Sequence, residues 1–166
     1  MRNISLAAAM AAALAIGAAS TARAAPAMVD VTLGPQLQAK AEKTYGVRDV
    51  RELAEELRTT VERQLAKTGA YDGARIELVL MEATPNHPTF KQLSDTPGLS
   101  MRSFGLGGAR IEGKIVAADG RETPVSYHYE QIDIRESRNA GTWTDAESTL
   151  NQFANQLARG KVMAPR

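Results

Sequence analysis

Gly107–Ile134 reads GGARIEGKIVAADGRETPVSYHYEQIDI. In its first half Ile111, Ile115 and Ala117 share one parity, while Arg110, Glu112 and Lys114 share the other. A period of two is that of a strand with one buried face. Asp119-Gly120 interrupts the run as a hairpin turn, and the dipeptide suits type I′, which requires positive φ at both central positions. Thr123–Ile134 is the return strand. Its parity slips, because Val125, Tyr127 and Tyr129 alternate in one phase and Ile132 and Ile134 in the other. A bulge near Glu130-Gln131, adding one unpaired residue, reconciles the two halves.

The neighbouring segments extend this hairpin into a layered domain. Ala74–Ala83 (ARIELVLMEA) is another strand, with Ile76, Leu78 and Leu80 on one side and Arg75, Glu77 and Val79 on the other. Upstream, Val50, Leu53, Leu57, Val61 and Leu65 recur at spacings of three and four, the period of one helical face. Asp49 is placed to cap that helix and Gly69 to stop it. Its opposite face, with Arg51, Glu52, Glu55, Glu56, Arg58, Glu62 and Arg63, reads as solvated and laced with ion pairs. Downstream, Thr144-x-x-Glu147 has the form of a capping box, and Ala146, Leu150, Phe153 and Leu157 form an apolar stripe ending at Gly160. Trp143, the sole tryptophan, precedes that cap as a hydrophobic staple. Val29–Leu33 alternates as a possible first strand, and Gln36–Tyr45 tolerates a helix before Gly46. The expectation is an α+β, two-layer sandwich. A mixed or antiparallel sheet of about four strands carries two amphipathic helices on one face and leaves the other partly wet. Residues 25–47 form a flexible start and the possible first strand, and 48–162 a single domain.

Met1-Arg2-Asn3 is basic, Ile4–Ala19 is an alanine-rich apolar run, and Ala22-Arg23-Ala24 has the small-x-small form of a signal-peptidase site. The run is shorter than the roughly 20 strongly apolar residues that span a bilayer. A cleaved signal peptide, residues 1–24, and a periplasmic or secreted destination are expected. Of 166 residues, 142 then remain, enough for one domain. Loss of Arg2 and Arg23 changes 20 Lys plus Arg against 19 Asp plus Glu into 18 against 19, a net charge of −1. No basic block survives, which argues against nucleic acid and against an anionic membrane surface as partners. The chain has no cysteine, which excludes disulfides, thiolate metal sites, thiol catalysis and lipid attachment through sulfur.

Between the strands at 74–83 and 107–118 lies Thr84–Gly108, TPNHPTFKQLSDTPGLSMRSFGLGG. Thr89-x-x-Gln92 can cap a short helix that docks Phe90 and Leu93 on the core, and Leu99–Phe104 can form a further strand. The segment is read as an irregular connection with its own small elements, with a binding loop as the alternative. Gly105, Gly107 and Gly108 lead into a strand rather than a helix, so a bulge or tight bend fits them better than a phosphate cradle. His87 and His128 are the only histidines, and no HExxH-type spacing accompanies them. Ser100 lacks the second glycine of a nucleophile elbow. No catalytic residue, metal ligand or cofactor is expected. Tyr127, Tyr129, Phe104 and Met101 form either an exposed protein-contact patch or a minor core.

The run Arg102-Ser103-Phe104-Gly105-Leu106-Gly107-Gly108-Ala109 leads into a strand, an Asp119-Gly120 turn, a second strand and a terminal helix bearing Phe153, Leu157 and Gly160. In this order of elements, over about residues 50–160, the chain resembles a broad group of envelope proteins of Gram-negative bacteria that have no assigned role. More distantly it is similar to the small α/β domain of periplasmic assembly and transport-accessory lipoproteins, whose lipidated cysteine it lacks. The resemblance implies no catalytic residues. The first expectation is a non-enzymatic periplasmic protein acting through contact with another envelope protein, with Tyr127, Tyr129 and Phe104 in an exposed apolar face or edge. The second is a small-molecule module in which His87, Lys91 or Arg102 converge on a pocket of the 84–108 loop. The third, a hydrolase, requires His128, a carboxylate and Ser126 in one cluster. Oligomeric state is left open.

Overall fold

The computed structural model describes residues 27–162; the expected signal peptide and its cleavage site lie outside the described residues. Alternation and helical periodicity translate into ten elements in the order β1 (Met28–Leu33), α1 (Pro35–Lys40), a π-helical turn (Ala41–Tyr45), α2 (Val47–Thr68), β2 (Arg75–Thr84), α3 (Phe90–Asp95), β3 (Gly108–Val116), β4 (Glu122–Glu130), α4 (Ile134–Ser137) and α5 (Thr144–Leu157). The strands form one open sheet in the order β1-β2-β3-β4. β1 runs parallel to β2 after the α2 crossover, and β2–β3 and β3–β4 are antiparallel. The expected α+β architecture with a mixed four-stranded sheet is the one observed.

The apolar parity of each strand faces α2 and α5. Val29, Ile76, Leu78, Leu80, Ile111, Ile115 and Val125 meet Val50, Leu53, Leu57, Val61, Leu65, Leu150, Phe153 and Leu157 in one continuous core. Removing such side chains from water supplies the main driving force, at about 1.5–3 kcal/mol for each large aliphatic or aromatic group. Among the described residues, the other face of the sheet carries no helix and is lined by charge. Arg75 pairs with Glu77, Arg110 with Glu82 and Glu112, and Lys114 with Glu77 and Glu122.

Three local expectations are corrected. The bulge lies in β2, not β4: Leu80 pairs with Ile111 and Glu82 with Arg110, leaving Met81 unopposed. That extra residue moves Glu82 to the open face beside Arg110, at 2.9 Å, and brings Ala83 into the core. β4 pairs without a break as far as Glu130, so the parity slip marks the end of the strand, and Ile132 stands exposed beyond it. The hairpin is closed by a three-residue loop rather than a type I′ turn. Ala117 N–H donates to Arg121 O at 2.9 Å, Gly120 N–H donates to Ala117 O at 2.9 Å, and only Gly120 has positive φ, at 83°. A single left-handed residue after a type I turn gives this arrangement, which Asp-Gly also satisfies.

Helix termini depart from the sequence expectation as well. α2 starts after Gly46, so Asp49 sits within the first turn and makes no capping bond. It stops as expected at Gly69, in left-handed conformation. Thr144 is inside α5 and accepts a bond from Gly141 N–H at 2.7 Å, so the expected capping box does not form there. Trp143 is the cap residue, and its ring packs edge-to-face on Tyr45, with centroids 5.6 Å apart. The first turn of α5 is served by a distant residue instead.

Candidate functional site

That distant residue is Asn86, buried between Pro85 and His87 just after β2. Its Oδ1 accepts from Asp145 N–H at 2.9 Å, capping α5 across 59 positions of sequence. Its Nδ2 donates to the Asp145 carboxylate at 2.5 Å and reaches Ser137 Oγ and Gly105 O, each at 3.3 Å. Its backbone N–H donates to Thr142 O and its carbonyl accepts from Gly105 N–H, both at 2.8 Å. Asp145 Oδ2 also accepts from Gly107 N–H at 3.2 Å. Buried polar groups have to be paired with one another to be tolerated, and a satisfied network rigidifies what it joins. Here it fixes the loop 85–107, the segment 131–142 and the start of α5 to one another.

The glycines follow from this closure. A Cβ at Gly107 would stand 2.7 Å from Asn86 Oδ1, and one at Gly108 would stand 2.3 Å from Tyr129 O. They mark close approach of backbone and amide, and β3 pairs with β4 from Gly108 onward without a bulge. Thr89 and Gln92 form the expected capping box of α3, at 3.3 and 3.0 Å. Phe90 does not dock on the core, as expected from sequence, but is 76% exposed. Leu99–Phe104 is a turn flanked by irregular backbone, not a strand.

The result is a rigid platform at the end of the sheet where β2 and β4 finish and β3 begins. Met101 (56%) and Phe104 (43%) are exposed at its clefts together with Phe90, and Ile132 (89%) is exposed just past the end of β4. Two clefts lie side by side and share Pro88 as a wall. One, of about 200 Å³, is lined by Arg48, Glu52, Phe90, Met101 and Trp143 among others. The other, of about 170 Å³, is lined by His87, Gln92, Leu99, Ser103 and Phe104 among others.

Of the residues singled out in the sequence, the structure brings together His87 and Phe104, whose rings lie 6.1 Å apart. His87 bolts the loop: its Nδ1 lies 3.2 Å from Met101 O and its Nε2 3.2 Å from Ser137 O. A neutral imidazole has one N–H and donates to only one of the two at a time. Lys91 is paired with Asp95 along α3 at 2.7 Å, and Arg102 is exposed within the loop; neither lines the His87 cleft. Tyr127 is not part of an exposed patch. Its ring lies against Phe153 at 6.1 Å, and its hydroxyl donates to Gln152 and accepts from Gln156 of α5. Burial, with Tyr129 nearby as the lesser cause, holds its phenol above the usual tyrosine range. Tyr129 lines a separate recess of about 60 Å³ with Glu82, Thr84 and His128. The aromatic patch expected from Tyr127, Tyr129 and Phe104 is therefore divided among core, recess and loop, because strand parity turns both tyrosines away from the open face. His128 and Ser126 are exposed on that open face, and no side-chain hydrogen bond joins them among the described residues.

Sequence reasoning missed Asn86, Ser137 and Asp145. Asp145 and Thr149 are four apart and adjoin the apolar stripe of α5, and both are buried. That spacing is a usable signal. Nothing local distinguishes Asn86 from any other asparagine in a proline-bounded turn.

No protein-family model and no curated protein matches the chain. Among solved structures, the chain is similar to a minor lipoprotein from Acinetobacter baumannii, at 11% identity and a TM-score of 0.35, over 85% of this chain and 97% of that one.

Proposed function

We propose that the chain is an exported, non-enzymatic protein of the bacterial envelope that works by holding a protein partner on the platform formed by residues 85–107 and 131–143. The observation that carries this reading is the pairing of exposed Phe90, Met101, Phe104 and Ile132 with a buried network that immobilises the loops beneath them. Ordering is done before binding, so apolar contacts made there are not offset by loop entropy. The His87 cleft is smaller than the roughly 300–1,000 Å³ of small-molecule sites, which favours protein side chains over a free ligand as its occupants. Exposed aromatics around such clefts are the residue types that dominate protein interfaces. Export is supported by the sequence of residues 1–24.

The test is site-specific photocrosslinking in the native cell, with the reactive group placed in turn at Phe104, Ile132, Lys114 and Glu122. The first two positions are expected to capture one defined envelope protein and the open-face positions to capture none. Equal yields from both sets, or no specific product from either, would overturn the reading. Fractionation with amino-terminal sequencing tests export: a mature chain beginning at Ala25 in the periplasm or medium is expected.

A further inference from the structure

We infer that the free edge of β1 pairs antiparallel with β1 of a second copy, joining two sheets across a two-fold axis at Val31. This surface is separate from the platform and does not depend on it. Met28 N–H donates to Ala74 O at 3.0 Å and Gly34 N–H to Leu80 O at 2.9 Å, so Met28, Asp30, Thr32 and Gly34 turn their backbone groups toward β2. Val29, Val31 and Leu33 turn theirs outward, where no hydrogen bond reaches them among the described residues. An edge of this kind selects another strand, and proteins ordinarily blunt it with lysine, proline or a bulge. β1 has none of these. The opposite edge is blunted: in β4, Pro124 has no N–H to offer, and Ser126 N–H donates to Val162 O at 3.1 Å.

Both layers beside this edge are self-complementary, which selects a second copy over an unrelated strand. With Val31 opposite itself, Val29 meets the copy's Leu33, and about six backbone hydrogen bonds form, two for each directly opposed outward pair. Val31 and Leu33 pack against the core but stay partly exposed, so the pairing makes the two cores continuous. On the open face, Asp30 meets the copy's Thr32, whose hydroxyl otherwise reaches only Leu78 O at 3.4 Å. No like charges are opposed, and Met28, 63% exposed, meets Gly34, which has no side chain to obstruct it. The helix layer matches as well. α2 packs on β1 and α5, and Glu56, on which the Glu147 charge acts, marks its α5 side. Arg51, Glu55, Arg58 and Glu62, at spacings of four, three and four, form a stripe on the other flank, toward the β1 edge. The axis makes α2 antiparallel to its copy. With strands about 4.8 Å apart, the two helices stand about 10 Å apart, an ordinary packing distance. The alternating stripe then faces its own reverse, Arg51 toward Glu62 and Glu55 toward Arg58.

Sedimentation equilibrium of the purified exported chain is expected to show concentration-dependent dimerisation. Thr32→Asp sets two like-charge pairs across the axis and should weaken the dimer about tenfold. Thr32→Lys sets two opposite-charge pairs and should strengthen it by a similar factor. Thr32 is exposed, so both variants should keep the circular dichroism and melting of the dilute parent. The chain has no cysteine, so introduced thiols read the register directly. An equal mixture of Asp30→Cys and Thr32→Cys chains should oxidise to a mixed disulfide, whereas neither variant alone should crosslink comparably. A chain that stays monomeric up to about 1 mM would overturn the inference. So would Thr32 variants that shift the equilibrium in the same direction or leave it unmoved, or self-crosslinking of Asp30→Cys equal to that of the mixture. A dimer abolished by Phe104→Ser and indifferent to Thr32 would also overturn it, by placing self-association on the platform.

Discussion

Replacing Asn86 by alanine removes one side chain that serves two elements at once. The bond from its Nδ2 to the Asp145 carboxylate is charge-assisted and buried, and such bonds contribute about 1.5–3 kcal/mol. The bond from Asp145 N–H to its Oδ1 is an ordinary capping bond, worth about 0.5–1.5 kcal/mol. The weaker reaches to Gly105 and Ser137, at 3.3 Å, add little to these. The expected loss is about 3 kcal/mol, a large share of the roughly 5–15 kcal/mol that stabilises a domain of this kind. It should lower the melting temperature by about 10 °C. Urea unfolding followed in parallel by Trp143 fluorescence and far-ultraviolet circular dichroism measures it. The midpoint should fall with little change in the denaturant slope, because the core beneath α2 and α5 remains intact. Asn86→Asp is the sharper variant, because it places a second carboxylate against Asp145. One of two such carboxylates binds its proton more tightly folded than unfolded, so this variant should approach the parent in stability as pH falls through the carboxylate range. A loss below about 1 kcal/mol in Asn86→Ala, or an Asn86→Asp deficit that is independent of pH, would refute the assignment of Asn86 as the hub.

Gly108→Ala should cost several kcal/mol, of order ~2–3, because its Cβ meets Tyr129 O, whereas Gly105→Ala, with nothing within 4 Å, should be close to neutral by thermal melting. The Glu56 carboxyl is held above the usual carboxylate range by burial first and the Glu147 charge second. Its proton is bound more tightly folded than unfolded, so this contribution to stability falls as pH rises through its titration; Glu56→Gln should stabilise the chain at pH 7 by up to about 0.5 kcal/mol and lose that advantage in acid. His87→Ala should cost about 1 kcal/mol and speed amide hydrogen exchange in 99–105 well before it affects β2 or β3.

The layered fold was legible because each buried stripe repeats with the period of its own element. Val50 through Leu65 and Ile76 through Leu80 declare their faces within a few residues. The turns were less legible, since Asp119-Gly120 satisfies two loop types and the choice depends on how far β3 and β4 remain paired. The slip after Tyr129 had two physical causes compatible with it, a bulge or the end of a strand, and parity alone does not separate them. The platform was the least legible part. Its hub joins residues 59 positions apart, so its signature is absent from any local window. Residues 84–108 stand out in the sequence as the segment of interest, whereas Tyr127 and Tyr129 fit either an exposed patch or a minor core, and only their register opposite Ile111 and Ala109 places both on the helix-covered side of the sheet.

Photocrosslinking from Phe104 and Ile132, compared with Lys114 and Glu122, tests the central claim most directly. The account predicts one defined envelope partner from the loop-end positions and none from the open sheet face. Capture of the same protein from the sheet face with nothing from the loop end would contradict it.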